Sequence, residues 1–170
     1  QAALEFYVGG EAGVDYVDNV FRAPSAEQDD TVVIVKPEFA LKGRDTIGGK
    51  YTLRGGVEAG RYASLGENDY LDGDLRLKTS HPLTETLQLS LRGRLRADHV
   101  GIGAFIDEPE RRLSEPTEYR QGELGAQLDM EQGAYQHMVA LDNLIYNYDN
   151  TSRTDGTVSI NDARDRQHYE

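Results

Sequence analysis

Three arginines at alternate positions, Arg92, Arg94 and Arg96, are the best functional candidates among the polar side chains of their segment. In an extended strand all three share one face. If the neighbouring strands pair about the intervening links, Asp72 and Asp74 flank the row on one side and Glu123 on the other, and Arg76 is a further candidate for the same face. Guanidinium and carboxylate groups interleaved in this way suit two roles. They can line an aqueous constriction, where they set ion selectivity, or they can knit and stiffen a wall through ion pairs. The residue types leave both roles open.

Other chemistry is thinly represented. There is no cysteine, which removes disulfides and thiolate metal sites. The four histidines, at 81, 99, 137 and 168, fall on different segments, and neither a Gly-x-Ser-x-Gly nor a His-Glu-x-x-His pattern occurs. His99 beside Asp98 is the one suggestive pair, and nothing in the spacing supplies the further group that catalysis needs. No enzyme, cofactor or metal is therefore expected. The segment Asp149–Gly156 is rich in oxygen ligands but lacks the spacing of an EF-hand loop and puts Arg153 where a ligand should be, so it reads as a solvated loop. A net charge of -12 argues against nucleic acid as a partner, since phosphate contacts need a basic face.

The arginine row belongs to Leu87–Asp98, in which apolar or small residues alternate strictly with polar ones. Leu87, Leu89, Leu91, Gly93, Leu95 and Ala97 take one side, and the arginines, Gln88, Ser90 and Asp98 the other. Period two marks a strand with one apolar and one polar face. The same pattern predicts strands at Leu4–Tyr16, Thr31–Arg44, Lys50–Tyr62, Tyr70–Thr79, Thr117–Met130 and Tyr135–Asn147, with an eighth beginning at His168. Pro37 cannot donate a ladder hydrogen bond, so a bulge or local irregularity is expected there.

Links at 17–30, 63–69, 99–116 and 148–167 fall at one end of these strands and include the long ones; those at 45–49, after Thr79 and at 131–134 are brief. The loop after strand five carries the charged run 107–112. Short turns on one side and long loops on the other are characteristic of outer-membrane barrels. The strands of 13 or 14 residues rise on the order of 33 Å each at roughly 3.3 Å per residue and a tilt near 40°, enough to cross an apolar band of about 25 Å. No apolar run approaches the length of a membrane helix, and the mean hydropathy is -0.64. A soluble ligand-binding barrel would turn the apolar face inward, but here that face is built of Leu, Val, Ala and Gly with few large aromatics, a thin filling for a core. Phe6, Tyr51 and Tyr135 lie on it at the short-turn end, and Tyr16 at the other; by parity Tyr62, Tyr70, Tyr119 and Tyr146 face the polar side. The lower aromatic girdle is thus the fuller one.

Three segments invite a family comparison: Tyr16-Val-Asp-Asn-Val-Phe-Arg22, Tyr146-Asn-Tyr-Asp149 and Asn161-Asp-Ala-Arg-Asp-Arg166. Together they resemble the second putative outer-membrane β-barrel porin family of Gram-negative bacteria, whose members tend to carry Asp-Asn-(Val/Ile)-Phe-Arg in the first loop. The resemblance covers essentially the whole chain. It implies an all-β, antiparallel up-and-down transmembrane barrel, of which about seven strands and the start of an eighth are present as a single segment. It also implies an outer-membrane location and a porin or export-channel role, sometimes beside polysaccharide export. A non-conducting barrel that anchors a surface assembly is the alternative. Asp18, Asn19, Val20, Phe21 and Arg22 are the loop candidates, able to dock a partner or lipopolysaccharide or to fold over the rim. Seven or eight strands leave open edges, so further C-terminal strands or strands of a partner chain are expected beside them, with membrane lipid around the apolar face.

Overall fold

Alternation of this strictness leaves the backbone one good solution, extended strands whose two faces differ in polarity, and the computed structural model has that form. It describes residues 3–21, 27–101, 115–153, 156–161 and 164–169. Seven long strands follow one another: β1 (Ala3–Val17), β2 (Asp30–Arg44), β3 (Lys50–Tyr62), β4 (Tyr70–Pro82), β5 (Leu87–Val100), β6 (Thr117–Gln132) and β7 (Tyr135–Tyr148). Two short strands, β8 (Thr151–Ser152) and β9 (Val158–Ser159), pair with each other inside the last loop, and β10 (Arg166–Tyr169) returns to β7. The main sheet has 8 strands in the order β1-β2-β3-β4-β5-β6-β7-β10, every pair antiparallel. It is a meander that does not close on itself; β1 and β10 are its edges.

Several strand ends lie beyond those read from the alternation. The ladder between β4 and β5 continues through His81↔Leu89 and Pro82↔Gln88, so a stretch expected to be a link is strand. β6 likewise runs on to Gln132, leaving only Gly133 and Ala134 as its turn. Gly133 has φ +64, and Gly48 in the turn after β2 has φ +93; both are left-handed conformations that glycine adopts without steric cost. In that earlier turn Asp45 acts as a brace, accepting the amides of Ile47 (3.0 Å) and Gly49 (2.7 Å) and the Tyr51 hydroxyl (2.6 Å). At Pro37 there is an irregularity but no bulge: the β2–β3 register is the same on both sides, and only the pairing of Lys36 and Pro37 with β3 is interrupted.

The register puts the apolar positions of successive strands side by side, as in Phe6↔Leu41, Leu53↔Leu77, Leu75↔Leu95 and Leu128↔Val139. Among the described residues nothing covers this face: Leu4, Val8, Leu71 and Leu124 are 73%, 74%, 71% and 69% exposed. The only buried hydrophobic side chains among the described residues are Phe21 and Val32, both at the long-loop end. A soluble barrel would bury the apolar face and gain about 25 cal/mol per Å² from doing so; this sheet turns it outward. The polar face is the concave one. A trough of 660 Å³ runs across β1–β5, and its charged lining comes from polar-face positions, among them Lys36, Glu58, Asp74 and Arg94.

The long-loop end is tied down by polar contacts. Asp30 is 6% exposed and accepts the amides of Thr31, Ser64 and Leu65 at 2.7–2.9 Å, which fastens the β3–β4 link to the base of β2. Thr151 donates to Thr117 at 3.0 Å, and the Asn161 side chain donates to the carbonyl of Asp149 at 2.8 Å, folding the last loop back over the rim.

Candidate pore-lining face

Each arginine of the β5 row points into the concave side and has an acidic partner there. Arg94 Nε donates to Asp74 Oδ2 at 2.6 Å, and the other oxygen of Asp74 meets Arg76 Nε at 2.5 Å. Arg96 pairs with Asp98 on its own strand, and Asp98 also accepts the Tyr119 hydroxyl at 2.9 Å. Arg92 pairs with Asp142 and lies 3.8 Å from Glu123. The three guanidinium side chains are between 26% and 39% exposed, so they remain in contact with solvent while paired. At that exposure such pairs contribute on the order of 1 kcal/mol or less each, and their main effect is to fix where charge sits.

The register refines the expected neighbours. Asp74 is directly opposite Arg96 and Glu123 directly opposite Arg94, yet their ion pairs run diagonally, to Arg94 and Arg92. Asp72 does not flank the arginine row. It lies one step nearer the long loops and pairs with His99, whose Nδ1 is 2.9 Å away. Arg76 faces Arg94, like charge against like, with Asp74 bridging the two.

A second tier, which the arginine spacing did not disclose, crosses β2–β5 above the first. Lys36 pairs with Glu58 at 2.9 Å, Glu58 accepts the Tyr70 hydroxyl at 3.0 Å, and the Tyr70 ring stacks on His99 with centroids 4.2 Å apart. Tyr119, Tyr146 and Tyr148 continue the aromatic surface onto β6 and β7. Lys36, Glu58, Tyr70 and the three further tyrosines occupy polar-face positions, which parity together with a correct register would have found; His99 has the parity of Leu95 and Ala97, and it meets Asp72 and Tyr70 beyond Gly73↔Ala97, where the β4–β5 pairing ends. Asp72, Asp98 and His99 bring ligand atoms within 4.8 Å of one another. Their chemistry as a set is already committed: the Arg96 guanidinium sits on Asp98, and the His99 ring nitrogen is bonded to Asp72.

The loop candidates divide. Asp18 is exposed, Asn19 and Val20 are half-buried, and Phe21 is 4% exposed, so its ring is used inside the loop-end packing and is not presented outward. Val20 N–H donates to the Gln28 carbonyl at 2.9 Å, closing the base of the loop. Arg22 and the charged run 107–112 lie outside the described residues.

No curated protein and no solved structure matches this sequence. The sequence profile of one family does match, over residues 6–170, which takes in every long strand and both tiers of the concave face. An open antiparallel meander with an exposed apolar face and a charged concave one is consistent with an incomplete β-barrel. The chain belongs to the family Putative beta-barrel porin 2.

Proposed function

We propose that the chain is part of the wall of an outer-membrane β-barrel whose concave face lines a water-filled passage, through which ions or small solutes move passively. One observation carries the reading. The apolar face is exposed with no core beneath it, while charged side chains gather in the 660 Å³ trough on the other side. Lipid satisfies the first condition and water the second. Pore-lining roles go to Arg92, Arg94, Arg96, Asp74, Arg76 and Glu123, with Asp72 and the second tier nearer the long-loop mouth. Backbone groups along β1 and β10 would cost several kcal/mol apiece if left unpaired in hydrocarbon. Further strands, of this protein or of a partner chain, therefore cover both edges.

The test is electrical. In a planar bilayer the intact protein gives stable conductance steps if the concave face is a water path. A purified, folded protein that never conducts supports the second reading, a closed scaffold barrel. The specific observation behind that rival is that all three arginines of the β5 row have acidic partners, as a stiffened wall requires.

A further inference from the structure

One part of the concave face departs from charge pairing. Arg54, Arg76 and Arg94 stand directly opposite one another on β3, β4 and β5, and one step nearer the short turns Lys78 stands opposite Arg92. Like charges directly opposite on a sheet oppose its folding. Asp74 relieves Arg76 and Arg94. Arg54, Lys78 and the nearby Lys50 form no ion pair among the described residues. The acidic residues Glu58, Asp72 and Asp98 lie further toward the long loops, and Asp142 and Glu123 are taken up by Arg92, which leaves the lysines as the unpaired charges beside it. A chain of net charge -12 has thus gathered uncompensated cations on neighbouring rungs of one face.

A concavity of 300 Å³ opens there, lined by Lys50, Thr52, Lys78, Ser80, Ser90 and Arg92, with no carboxylate on its wall. The register explains the grouping: Lys50 is opposite Ser80, Ser80 opposite Ser90, and Thr52 opposite Lys78. Cations supply charge, and hydroxyls supply donors that adapt to several oxygens. Chloride needs neither the volume nor the hydroxyls; a multivalent oxyanion uses both.

We infer that this patch, at the short-turn mouth of the concave face, is a binding site for small solutes bearing several phosphate or carboxylate groups. The inference rests on the reading above only in that the concave face of the passage must be wetted, since a lipid-covered face would not admit such a solute. It gives that passage a preferred class of cargo.

Tripolyphosphate is the probe. The intact protein in zwitterionic phosphatidylcholine nanodiscs is titrated calorimetrically at low and at high salt, with no lipid phosphate in net negative form to compete. Saturable binding that weakens with salt is expected, and Lys50→Gln with Lys78→Gln should weaken it about ten-fold or more. Arg61→Gln, which removes a positive charge from the opposite face, should leave it unchanged. These lysines oppose folding where they stand, so their replacement does not endanger it; Lys78→Arg, which keeps the charge, should retain binding. Wild-type protein that does not bind tripolyphosphate, or equal affinity in the double variant, overturns the site. Conductance is scored separately: a channel that ignores tripolyphosphate leaves the passage standing and removes the site, while binding without conductance keeps the site and removes the passage.

Discussion

Arg92 on β5 and Asp142 on β7 form an ion pair that crosses the intervening strand β6. They can meet because the β6 residue opposite both is Gly125, and a side chain there would collide with the Asp142 carboxylate and the Arg92 guanidinium. The glycine is a gap through which the two strands are linked. Asp142→Asn, or Gly125→Leu, should therefore separate β5 from β7 at a cost of about 1 kcal/mol, the range for partly exposed pairs. A double-mutant cycle with Arg92→Gln, read by reversible unfolding from lipid vesicles, measures the coupling; additive effects would mean that the pair contributes nothing.

The lipid face gives a sharper contrast between neighbours. Leu91 lies on the exposed apolar side, opposite Thr79 and Ala126, and Ser90 on the concave side, opposite Ser80 and Gln127. Leu91→Arg should cost roughly 2–4 kcal/mol if it sits near the bilayer midplane, and Ser90→Arg far less. Equal small costs for both in vesicle refolding would reverse or abolish the assignment of faces.

Much of this was legible in the residues, and the failures have physical causes. Alternation separates the arginines of β5 from its leucines correctly, because period two needs no knowledge of the partner strands, and it fails at His99, whose parity is that of the leucines but whose ring meets Asp72 and Tyr70. Partners are a different matter. Asp72 reads as a flank of the arginines until the β4–β5 register is known, and one step of two residues delivers it to His99 instead. Asp142 is hidden for another reason: β7 carries Met138, Ala140 and Leu144 on the concave face, so polarity does not mark that face there, and only the gap at Gly125 discloses the contact. Pro82 misleads by residue type, since proline signals a link yet is accommodated as the last residue of a strand. The burial of Phe21 and Asp30 depends on loops whose course no periodicity encodes.

Charge reversal tests the passage itself. Replacing Arg92, Arg94 and Arg96 together with Glu should move the reversal potential toward cation selectivity while conductance persists. If selectivity stays constant and heat resistance falls, the row is a wall brace and water does not run past it.

The short turn after β2 should respond to acid. The Tyr51 hydroxyl donates to Asp45 and holds its carboxyl below the usual carboxylate range; partial desolvation works against this, and the amides of Gly49 and Ile47 and the neighbouring His81 assist it. A depressed folded value means that the contribution is complete above the unfolded value of about 3.9 and is lost as pH falls through the folded one. The wild type should thus be more resistant to denaturant than Asp45→Asn at pH 7, with the difference closing in acid. A difference that is independent of pH would show that the carboxylate's charge is not what braces the turn.

Gly133 sits at φ +64 in the tight β6–β7 turn. Gly133→Val forces a β-branched residue into that conformation and should lower stability by about 1–2 kcal/mol, measured as the unfolding midpoint in detergent. An unchanged midpoint would mean that the turn relaxes to another geometry at no cost.

The central claim is that successive residues of β5 look alternately into water and into lipid. The sequence has no cysteine, so single cysteines can be introduced without background. Leu91→Cys, Arg92→Cys, Arg94→Cys, Leu95→Cys and Arg96→Cys are each reconstituted in liposomes and exposed to a membrane-impermeant thiol reagent. The account requires rapid labelling at 92, 94 and 96 and protection at 91 and 95, where a lipid-soluble quencher should instead reach an attached fluorophore. Labelling that is uniform along the strand, or strongest at 91 and 95, would contradict it.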